Sequence, residues 1–153
     1  QDTTVARYAC ATLANLAENF ETHENIVEVE VLKLFSKIAG GAAVGNDVDL
    51  QREATRFLAN VCAAYAMHDR VIDDDAHVAL IAACRADDAK VRRFGVLGVI
   101  NLAIVPENHN DLIKHSAISA LVDLISMDLG EDMQCQRFAC LALGNFAAKI
   151  EKH

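Results

Sequence analysis

A short pattern that recurs four times constrains this chain more than any other feature. In each copy an Arg stands eight residues before an Asn, and a His follows that Asn by eight residues. The pairs are Arg7 and Asn15, Arg52 and Asn60, Arg93 and Asn101, and Arg137 and Asn145, and the histidines are His23, His68, His109 and His153. Successive Asn residues are 45, 41 and 44 residues apart. A period in the forties in helix-forming sequence predicts a helical solenoid, in which stacked repeats bury each other's apolar sides.

The composition favours an all-α fold. Hydrophobic residues make up 53% of the 153 residues and aromatic residues only 5%, which indicates a core of Ala, Leu, Val and Ile between closely packed helices. One Pro and seven Gly leave few turn positions for a fold of many strands. The net charge of −8 argues against a sequence-independent hold on nucleic acid, which needs clustered Lys and Arg. We therefore expect no nucleic-acid partner.

The apolar segments and the cysteines indicate a cytoplasmic protein. The longest apolar run, residues 94–105, is shorter than the ~20 residues that cross a bilayer, so we expect no membrane insertion. The five cysteines are odd in number, lie in apolar helix-like sequence and include no CxxC pair, so we expect reduced core residues and no zinc site. They are Cys10, Cys62, Cys84, Cys135 and Cys140.

Helical periodicity divides each repeat into a short helix, a second helix and a long helix. Residues 5–17 and 49–64 predict long helices. The short helices are expected over residues 23–27, 68–72 and 109–113, and the second helices over 31–39, 76–85 and 117–127. A Gly-rich loop spans residues 39–47, and we expect 41–47 to be the most flexible part of the chain.

These segments predict one domain of about three and a half repeats. Residues 1–19 hold the third helix of a partial repeat, and residues 20–64, 65–105 and 106–149 form full repeats. The chain begins inside a long helix and ends at a His that would open another repeat, and neither end carries a polar cap. We therefore expect a piece of a longer array, whose uncapped ends could also associate with one another.

The repeats resemble the armadillo family over essentially the whole chain. The resemblance rests on Gln51-Arg52-Glu53-Ala54 through Asn60, on Arg93 through Ala103, and on Gln136 through Asn145, each at the end of a third helix. Residues 109–113 and 117–122 are similar to the family's first and second helices. The resemblance implies a right-handed α-solenoid, the armadillo superhelix, that binds other proteins and carries out no chemistry.

The chain departs from the family pattern in two places. The family's Gly between the first and second helices is replaced by Glu30, Asp75 and Ser116, and we expect Asp75 and Ser116 to act as helix N-caps. The family's nuclear-import adaptors carry a Trp four residues before the Asn, where this chain has Ala11, Arg56, Leu97 and Leu141. The resemblance is therefore nearer to the catenins and the vacuolar scaffold proteins than to the importin-α type, and we do not expect a nuclear localisation signal as the ligand.

The four Asn residues are candidates for binding a partner. At ~100° per residue, the Arg, the residue midway and the Asn lie on one stripe of a long helix, so stacked helices align the Asn side chains in a ladder. A carboxamide donates and accepts hydrogen bonds as a peptide group does, and such a ladder can hold an extended peptide or a partner helix. In the armadillo family the ladder lines the concave surface. The alternative is that each Asn satisfies backbone groups at a helix end.

The arginines have two interpretations that the sequence leaves open. In a groove they would bind acidic or phosphorylated partners through charge-assisted hydrogen bonds. As structural residues they would be solvated or ion-paired at the start of the long helix, with Asp49 or Glu53 as partners. The binding candidates among them are Arg52, Arg56, Arg93 and Arg137.

No catalytic constellation stands out, so we expect no enzyme and no cofactor. Histidines at equivalent positions of successive repeats lie ~10 Å apart, too far to share a metal ion, and we expect His23, His68 and His109 to be turn or helix-start residues. The acidic run from Asp73 to Asp75 is expected to be a solvated loop that caps the following helix. The sequence therefore predicts no metal site.

Two functions from different classes follow. The first is a non-catalytic scaffold that holds an extended peptide or a partner helix along the Asn and Arg ladder. The second is a structural segment of a larger filament or assembly, built by end-to-end stacking of repeats.

Overall fold

A computed structural model of the protein describes residues 3–41, 47–128, 130 and 133–148. Helices account for the regular structure of this part of the chain, and it contains no β-strand. The α-helices are α1 Thr3–Leu16, α2 His23–Ile26, α3 Val29–Ala39, α4 Val48–Cys62, α5 His68–Asp73, α6 Ala76–Ala83, α7 Ala89–Ala103, α8 His109–Lys114, α9 Ala117–Ser126 and α10 Gln134–Ala147. Short 3-10 helices, Phe20–Thr22, Tyr65–Met67 and Pro106–Asn108, precede α2, α5 and α8.

The helices stack in two rows. The long helices α1, α4, α7 and α10 pack against one another in chain order, and α3, α6 and α9 form a second row in which each helix also packs on the following long helix. This arrangement confirms the all-α solenoid that the period of the sequence predicts. No helix in the described ranges is both long enough and apolar enough to cross a membrane.

The predicted helices are present, with ends that differ by a few residues. The predicted helices over 5–17 and 49–64 are α1 and α4, and His23, His68 and His109 open α2, α5 and α8 as predicted. The 3-10 helices before these histidines were not predicted. The loop residues 42–46, where most of the flexible segment was expected, and His153 lie outside the described residues.

The core of the described residues is mainly aliphatic, and an aromatic pair lies where α3 meets α4. The rings of Phe35 and Phe57 have centroids 4.2 Å apart and are almost fully buried. Helix α7 approaches α6 so closely that a Cβ atom at Gly95 would lie 2.8 Å from the Cβ of Ala83 and 2.9 Å from backbone atoms. A residue larger than Gly therefore does not fit at this contact without a shift of α6 against α7.

The three described histidines of the repeat pattern fasten the ends of the long helices. In each case the ring Nε2 lies 2.8 Å from the carbonyl oxygen six residues earlier in the chain. The pairs are His23 with Ala17, His68 with Cys62, and His109 with Ala103. Carbonyl groups at a helix C-terminus lack intrahelical donors, and the ring supplies one. Because a carbonyl oxygen only accepts, Nε2 carries the proton in each ring.

The residues before α6 and α9 correct a prediction. Asp75 and Ser116 have positive φ angles of 55° and 67°, and neither side chain makes an N-cap hydrogen bond. The prediction that they cap these helices is therefore wrong. Both occupy the left-handed region, which is costly for a residue with a Cβ atom and which Gly adopts without that cost. The Gly that armadillo repeats carry at this position fits the same backbone conformation.

The cysteines are free, and one of them differs from the prediction. Four are buried as expected, and burial raises the pKa of Cys84 to about 12. Cys140 is exposed, so its assignment to the core is wrong. It lies on α10 beside Leu141, on a surface that remains open to solvent and includes Met133.

The left-handed conformation of Ser116 yields a stability prediction. We expect Ser116→Gly to raise the free energy of unfolding by about 0.5–1 kcal/mol, because Gly removes the steric cost of the positive φ angle. Urea unfolding followed by circular dichroism measures the change. The control is Ser116→Ala, which keeps a Cβ atom and is expected to give no gain. A loss of stability in Ser116→Gly would indicate that the hydroxyl group caps α9 after all.

Candidate functional site

A groove of about 440 Å³ crosses the long helices α1, α4 and α7 near their N-terminal halves. Successive repeats place equivalent residues on this surface, because the long helices stack side by side. The lining residues are Arg7, Tyr8 and Ala11 of α1, Asp49, Arg52, Glu53 and Arg56 of α4, and Lys90, Arg93 and Phe94 of α7. Five of these side chains are basic and two are acidic, on a chain whose net charge is −8.

Arg52 joins one long helix to the start of the next. Its Nε and Nη2 atoms donate to the two carboxylate oxygens of Asp88 at 3.0 and 2.6 Å, and Nη1 donates to Asp49 at 2.8 Å. Asp88 is also the N-cap of α7, where Oδ1 accepts from the backbone N–H groups of Lys90 and Val91 at 3.0 Å. One carboxylate therefore caps α7 and holds it against α4.

The same link occurs one repeat earlier. The Nε atom of Arg7 on α1 donates to both carboxylate oxygens of Asp47, at 3.0 and 2.9 Å. Asp47 is the N-cap of α4 and accepts from the backbone N–H of Leu50 at 3.1 Å. The recurring Arg thus ties its own helix to the N-cap Asp of the following long helix in both of these junctions.

These links keep the carboxylates charged. The hydrogen bond from Arg52 is the main cause that holds the pKa of Asp88 at about 2, and the backbone N–H of Val91 contributes while partial burial opposes the shift. The hydrogen bond from Arg7 likewise lowers the pKa of Asp47. Asp88 in turn raises the pKa of Arg52. All of these groups are therefore ionised at neutral pH.

Arg56 occupies a fixed position in the middle of the groove. Its Nη2 and Nη1 atoms donate to Glu53 at 2.6 Å and to Glu18 at 2.9 Å, and Nη2 also lies 3.4 Å from the carbonyl oxygen of Ala11. The structural interpretation of the arginines named Asp49 and Glu53 as partners, and both are present. The contacts to Glu18 and Asp88 were not predicted. A role in binding stays a prediction for Arg52 and Arg56.

Of the other two candidate arginines, one lines the groove and the other does not. Arg93 is half-buried on α7 and lines the groove with Arg52 and Arg56. Arg137 is exposed on α10, where it lines a separate cavity of about 650 Å³ together with Asn145. The structure therefore brings three of the four candidate arginines together.

The Asn ladder is only partly explained by contacts within the protein. Asn60 is half-buried, and its Nδ2 donates to the carbonyl oxygen of Ala14 near the end of α1 at 3.0 Å. That contact matches the alternative in which the Asn satisfies a backbone group at a helix end. Asn101 and Asn145 are half-buried, and Asn15 is exposed. Asn15, Asn60 and Asn101 line neither of the two cavities described above, and their binding role stays a prediction.

Three groove residues were not predicted from the sequence. They are Tyr8, Lys90 and Phe94. A signal for two of them was present, because the residue directly after the recurring Arg is aromatic in three of the four copies, Tyr8, Phe94 and Phe138. Tyr8 is 72% exposed, so its ring is available to a ligand. Lys90 follows no repeated pattern and enters the groove through its place in the first turn of α7.

Solved structures share this fold. An engineered protein in a crystal structure has a TM-score of 0.82 and 22% identity, over 96% of this chain and 58% of its own. A computationally designed armadillo repeat protein for modular peptide recognition has a TM-score of 0.81 and 24% identity, over 93% of this chain and 58% of its own. A designed armadillo repeat protein in complex with the peptide (KR)4 has a TM-score of 0.79 and 23% identity, over 92% of this chain and 57% of its own.

The likeness defines the class of fold, an α-solenoid of the armadillo type. The chain spans a little over half the length of these three proteins. No protein-family model matches the sequence, and a comparison with curated proteins finds no match. At these identities the similarity shows the fold alone.

The link between Arg52 and Asp88 yields a prediction about pH. We expect Asp88→Asn to lower the free energy of unfolding by about 2 kcal/mol at pH 7, because the folded-state pKa of Asp88 is about 2 and the unfolded value is about 3.9. This contribution is fully present above the unfolded pKa and is lost as the pH falls through the folded pKa. Urea unfolding at several pH values between 7 and 2.5 measures it.

The control for this prediction is Asp87→Asn, which removes a charge from the exposed neighbouring residue. In Asp88→Asn, the Asn side chain can still cap α7, so this variant tests the charge of Asp88 and not its N-cap function. The difference in stability between wild type and Asp88→Asn should begin to shrink below about pH 4 and be smallest at the acidic end of the series. Curves that stay equally far apart at every pH would show that the ionised carboxylate of Asp88 is not the cause.

Proposed function

We propose that this chain is a non-catalytic scaffold that binds an extended peptide carrying acidic or phosphorylated residues. The peptide lies in the groove across α1, α4 and α7. The observation that carries the proposal is the concentration of five basic side chains there, on a chain with a net charge of −8. The proposed location is the cytoplasm, as the five free cysteines suggest.

The geometry of the arginines supports an anionic ligand. The guanidinium groups of Arg52 and Arg56 are held in place by carboxylates, so little side-chain entropy is lost when a ligand binds them. A guanidinium group has five N–H donors, and these contacts leave some of them available to a carboxylate or phosphate. The exposed Lys90 adds a cation to the groove, and salt screens its attraction for an anionic ligand.

The aromatic residues of the groove favour a peptide over a small anion. Tyr8 and Phe94 lie on α1 and α7, on either side of the α4 arginines. Aromatic rings at such positions pack against the apolar parts of a partner and are enriched in binding surfaces. A ligand that contacts both rings has to cross three helices, which matches an extended peptide.

The comparison with designed proteins supports the class of ligand but not its charge. One similar structure is a designed armadillo repeat protein in complex with the peptide (KR)4, which is basic. The lining of this groove has five basic side chains and two acidic ones, so like charges would oppose such a peptide here, although the carboxylates paired with Arg7, Arg52 and Arg56 reduce the effect. The proposed ligand therefore has the opposite charge. The Asn ladder, through Asn60 and Asn101, remains a proposed extension of the site that would hold the peptide backbone.

Binding of synthetic peptides tests this proposal. We expect a fluorescent Glu-rich or phosphoserine peptide of about twelve residues to bind at least about tenfold more tightly than (KR)4-type peptides, because basic side chains dominate the groove. The affinity should fall as the salt concentration rises from about 50 to 200 mM. Lys90→Glu should weaken binding of the acidic peptide, as measured by fluorescence anisotropy.

The matched control is Lys114→Glu, which makes the same change of charge at an exposed lysine on α8, outside the groove. If Lys90→Glu and Lys114→Glu lose the same affinity for the acidic peptide, the effect comes from overall charge and binding in the groove is contradicted.

The double variant Asn60→Ala and Asn101→Ala tests whether the Asn ladder contributes to binding. Unchanged affinity in that variant would remove the ladder from the proposal.

A second candidate function is a structural segment of a larger assembly that associates through the surface of α10. The observation in its favour is the open apolar surface of α10, where Met133 is 55% exposed and Leu141 is 60% exposed. These residues line the cavity of about 650 Å³ that also contains Cys140. Exposed apolar surfaces of this kind are typical of interaction sites.

Light scattering tests the second candidate. If the α10 surface drives assembly, the mass of the particles should rise with protein concentration under reducing conditions, and Leu141→Glu should return the protein to a monomer. The control is Val122→Glu, which changes another exposed aliphatic residue, on α9. A monomer at every concentration would contradict assembly through this surface.

A further inference from the structure

Two histidines and an aspartate from neighbouring repeats converge on one point, away from the groove. Asp75 directly precedes α6, His77 lies in the first turn of α6, and His115 directly follows α8. One nitrogen or carboxylate oxygen from each residue lies within 4.8 Å of those of the other two. The closest pair is His77 Nε2 and His115 Nδ1, at 3.0 Å.

The cluster combines a buried ligand with accessible ones. His77 is 1% exposed, His115 is half-buried and Asp75 is exposed. Asp75 and His115 line an open cavity of about 880 Å³ between α3 and α6, together with Asp74. An ion can therefore reach the cluster from solvent and still contact a side chain that is fixed in the core.

The hydrogen bonds determine which ring nitrogens carry lone pairs. His115 Nδ1 lies 2.9 Å from the carbonyl oxygen of Asp111, and a carbonyl oxygen only accepts, so Nδ1 of His115 carries a proton. The same N–H group points to Nε2 of His77, which must therefore present a lone pair. Without an ion, this N–H group lies between the two rings. An ion that binds Nε2 of His77 and Nδ1 of His115 takes the place of that proton, and the proton of the His115 ring then resides on its Nε2.

The spacing of the two rings suits metal binding. Nε2 of His77 and Nδ1 of His115 lie 3.0 Å apart, close to the roughly 3.3 Å between two ligand atoms of one Zn²⁺ ion.

We propose that Asp75, His77 and His115 form a site for a divalent transition metal ion of the Zn²⁺ class. Zinc prefers four tetrahedral ligands, and two imidazoles with one carboxylate form a common set of three, with water in the fourth position. Ligand atoms around such an ion lie roughly 3.3 Å apart, given bonds of about 2.0–2.1 Å. The ligand atoms of the three residues lie within 4.8 Å of one another and have to move closer together around an ion. The side chain of Asp75 is exposed and can make that movement.

The site revises the expectation that the chain holds no metal. That expectation considered only histidines at equivalent positions of successive repeats. It also considered the acidic run from Asp73 to Asp75 without any histidine. His77 and His115 are not equivalent, because one begins a second helix and the other ends a first helix. A bound ion would join α6 to the end of α8 and so link the second and third full repeats directly.

Titration of the full chain with ZnCl₂ and CoCl₂ tests this proposal. We use Cys140→Ser as the background to remove the exposed thiol. Calorimetry should show a single Zn²⁺ ion per chain, and the Co²⁺ complex should show visible d–d absorption of a low-symmetry site. The melting temperature should rise with Zn²⁺, because a metal that binds only the folded chain stabilises it.

Two variants identify the ligands. Asp75→Asn keeps a residue that tolerates the left-handed conformation and removes the carboxylate charge, and His115→Ala changes an accessible ligand. We expect each to weaken Zn²⁺ binding by about 100-fold or more, since even the loss of an outer partner costs about 10–100-fold. Each should also abolish the rise in melting temperature. His77 is left unchanged because it is buried, and a substitution there could unfold the protein as well as remove a ligand.

The matched control is Asp74→Asn, which removes a neighbouring acidic charge outside the cluster and should leave the affinity unchanged. Several outcomes would overturn the proposal. These are equal affinities in wild type and Asp75→Asn, absence of binding at millimolar zinc, or strong near-ultraviolet charge-transfer absorption of the Co²⁺ complex. The last result would identify cysteine thiolates as the ligands.

Discussion

The fold depends on one constraint, which is that no repeat of this chain can bury its apolar side alone. The long helices α1, α4, α7 and α10 each obtain cover from the next long helix and from α3, α6 or α9. Apolar burial stabilises such a stack, and close packing, as at Gly95, contributes to its register. Polar contacts between the helices add directional interactions that fix the register further.

Three kinds of polar contact do so. Histidines at the start of the short helices bind the end of the preceding long helix, and arginines bind the N-cap Asp of the following one. Asn60 reaches back to a carbonyl oxygen near the end of α1. Each of these contacts has a defined length and direction, so a shift of one helix along its neighbour would break several of them together.

Much of this architecture could be predicted from the sequence, because the period of the Arg, Asn and His pattern is a property of the chain alone. The helices and their order follow from that period and from the spacing of apolar residues. The partners of the arginines do not, since Asp47 and Asp88 lie 40 and 36 residues from Arg7 and Arg52. Only the stacked structure shows that an N-cap of one repeat faces the Arg of the repeat before it.

The backbone before α6 and the cluster around His77 were missed for related reasons. A sequence shows that Asp and Ser can cap helices, but it does not show that Asp75 and Ser116 must take positive φ angles to join two helices. Likewise, a comparison of equivalent positions cannot find His77 and His115, which meet across a junction from different places in their repeats.

A comparison of the four copies separates scaffold from specificity. Several of the residues that recur have internal partners, as with the His at each described short helix and the Arg of α1 and α4. The positions beside them differ between copies. The residue after the Arg is Tyr8, Glu53, Phe94 or Phe138, and the residue midway to the Asn is Ala11, Arg56, Leu97 or Leu141. The recurring Arg7, Arg52 and Arg93 line the groove together with residues from both kinds of variable position. The repetition therefore supplies part of the groove's positive charge, and the departures from it distinguish one part of the groove from the next.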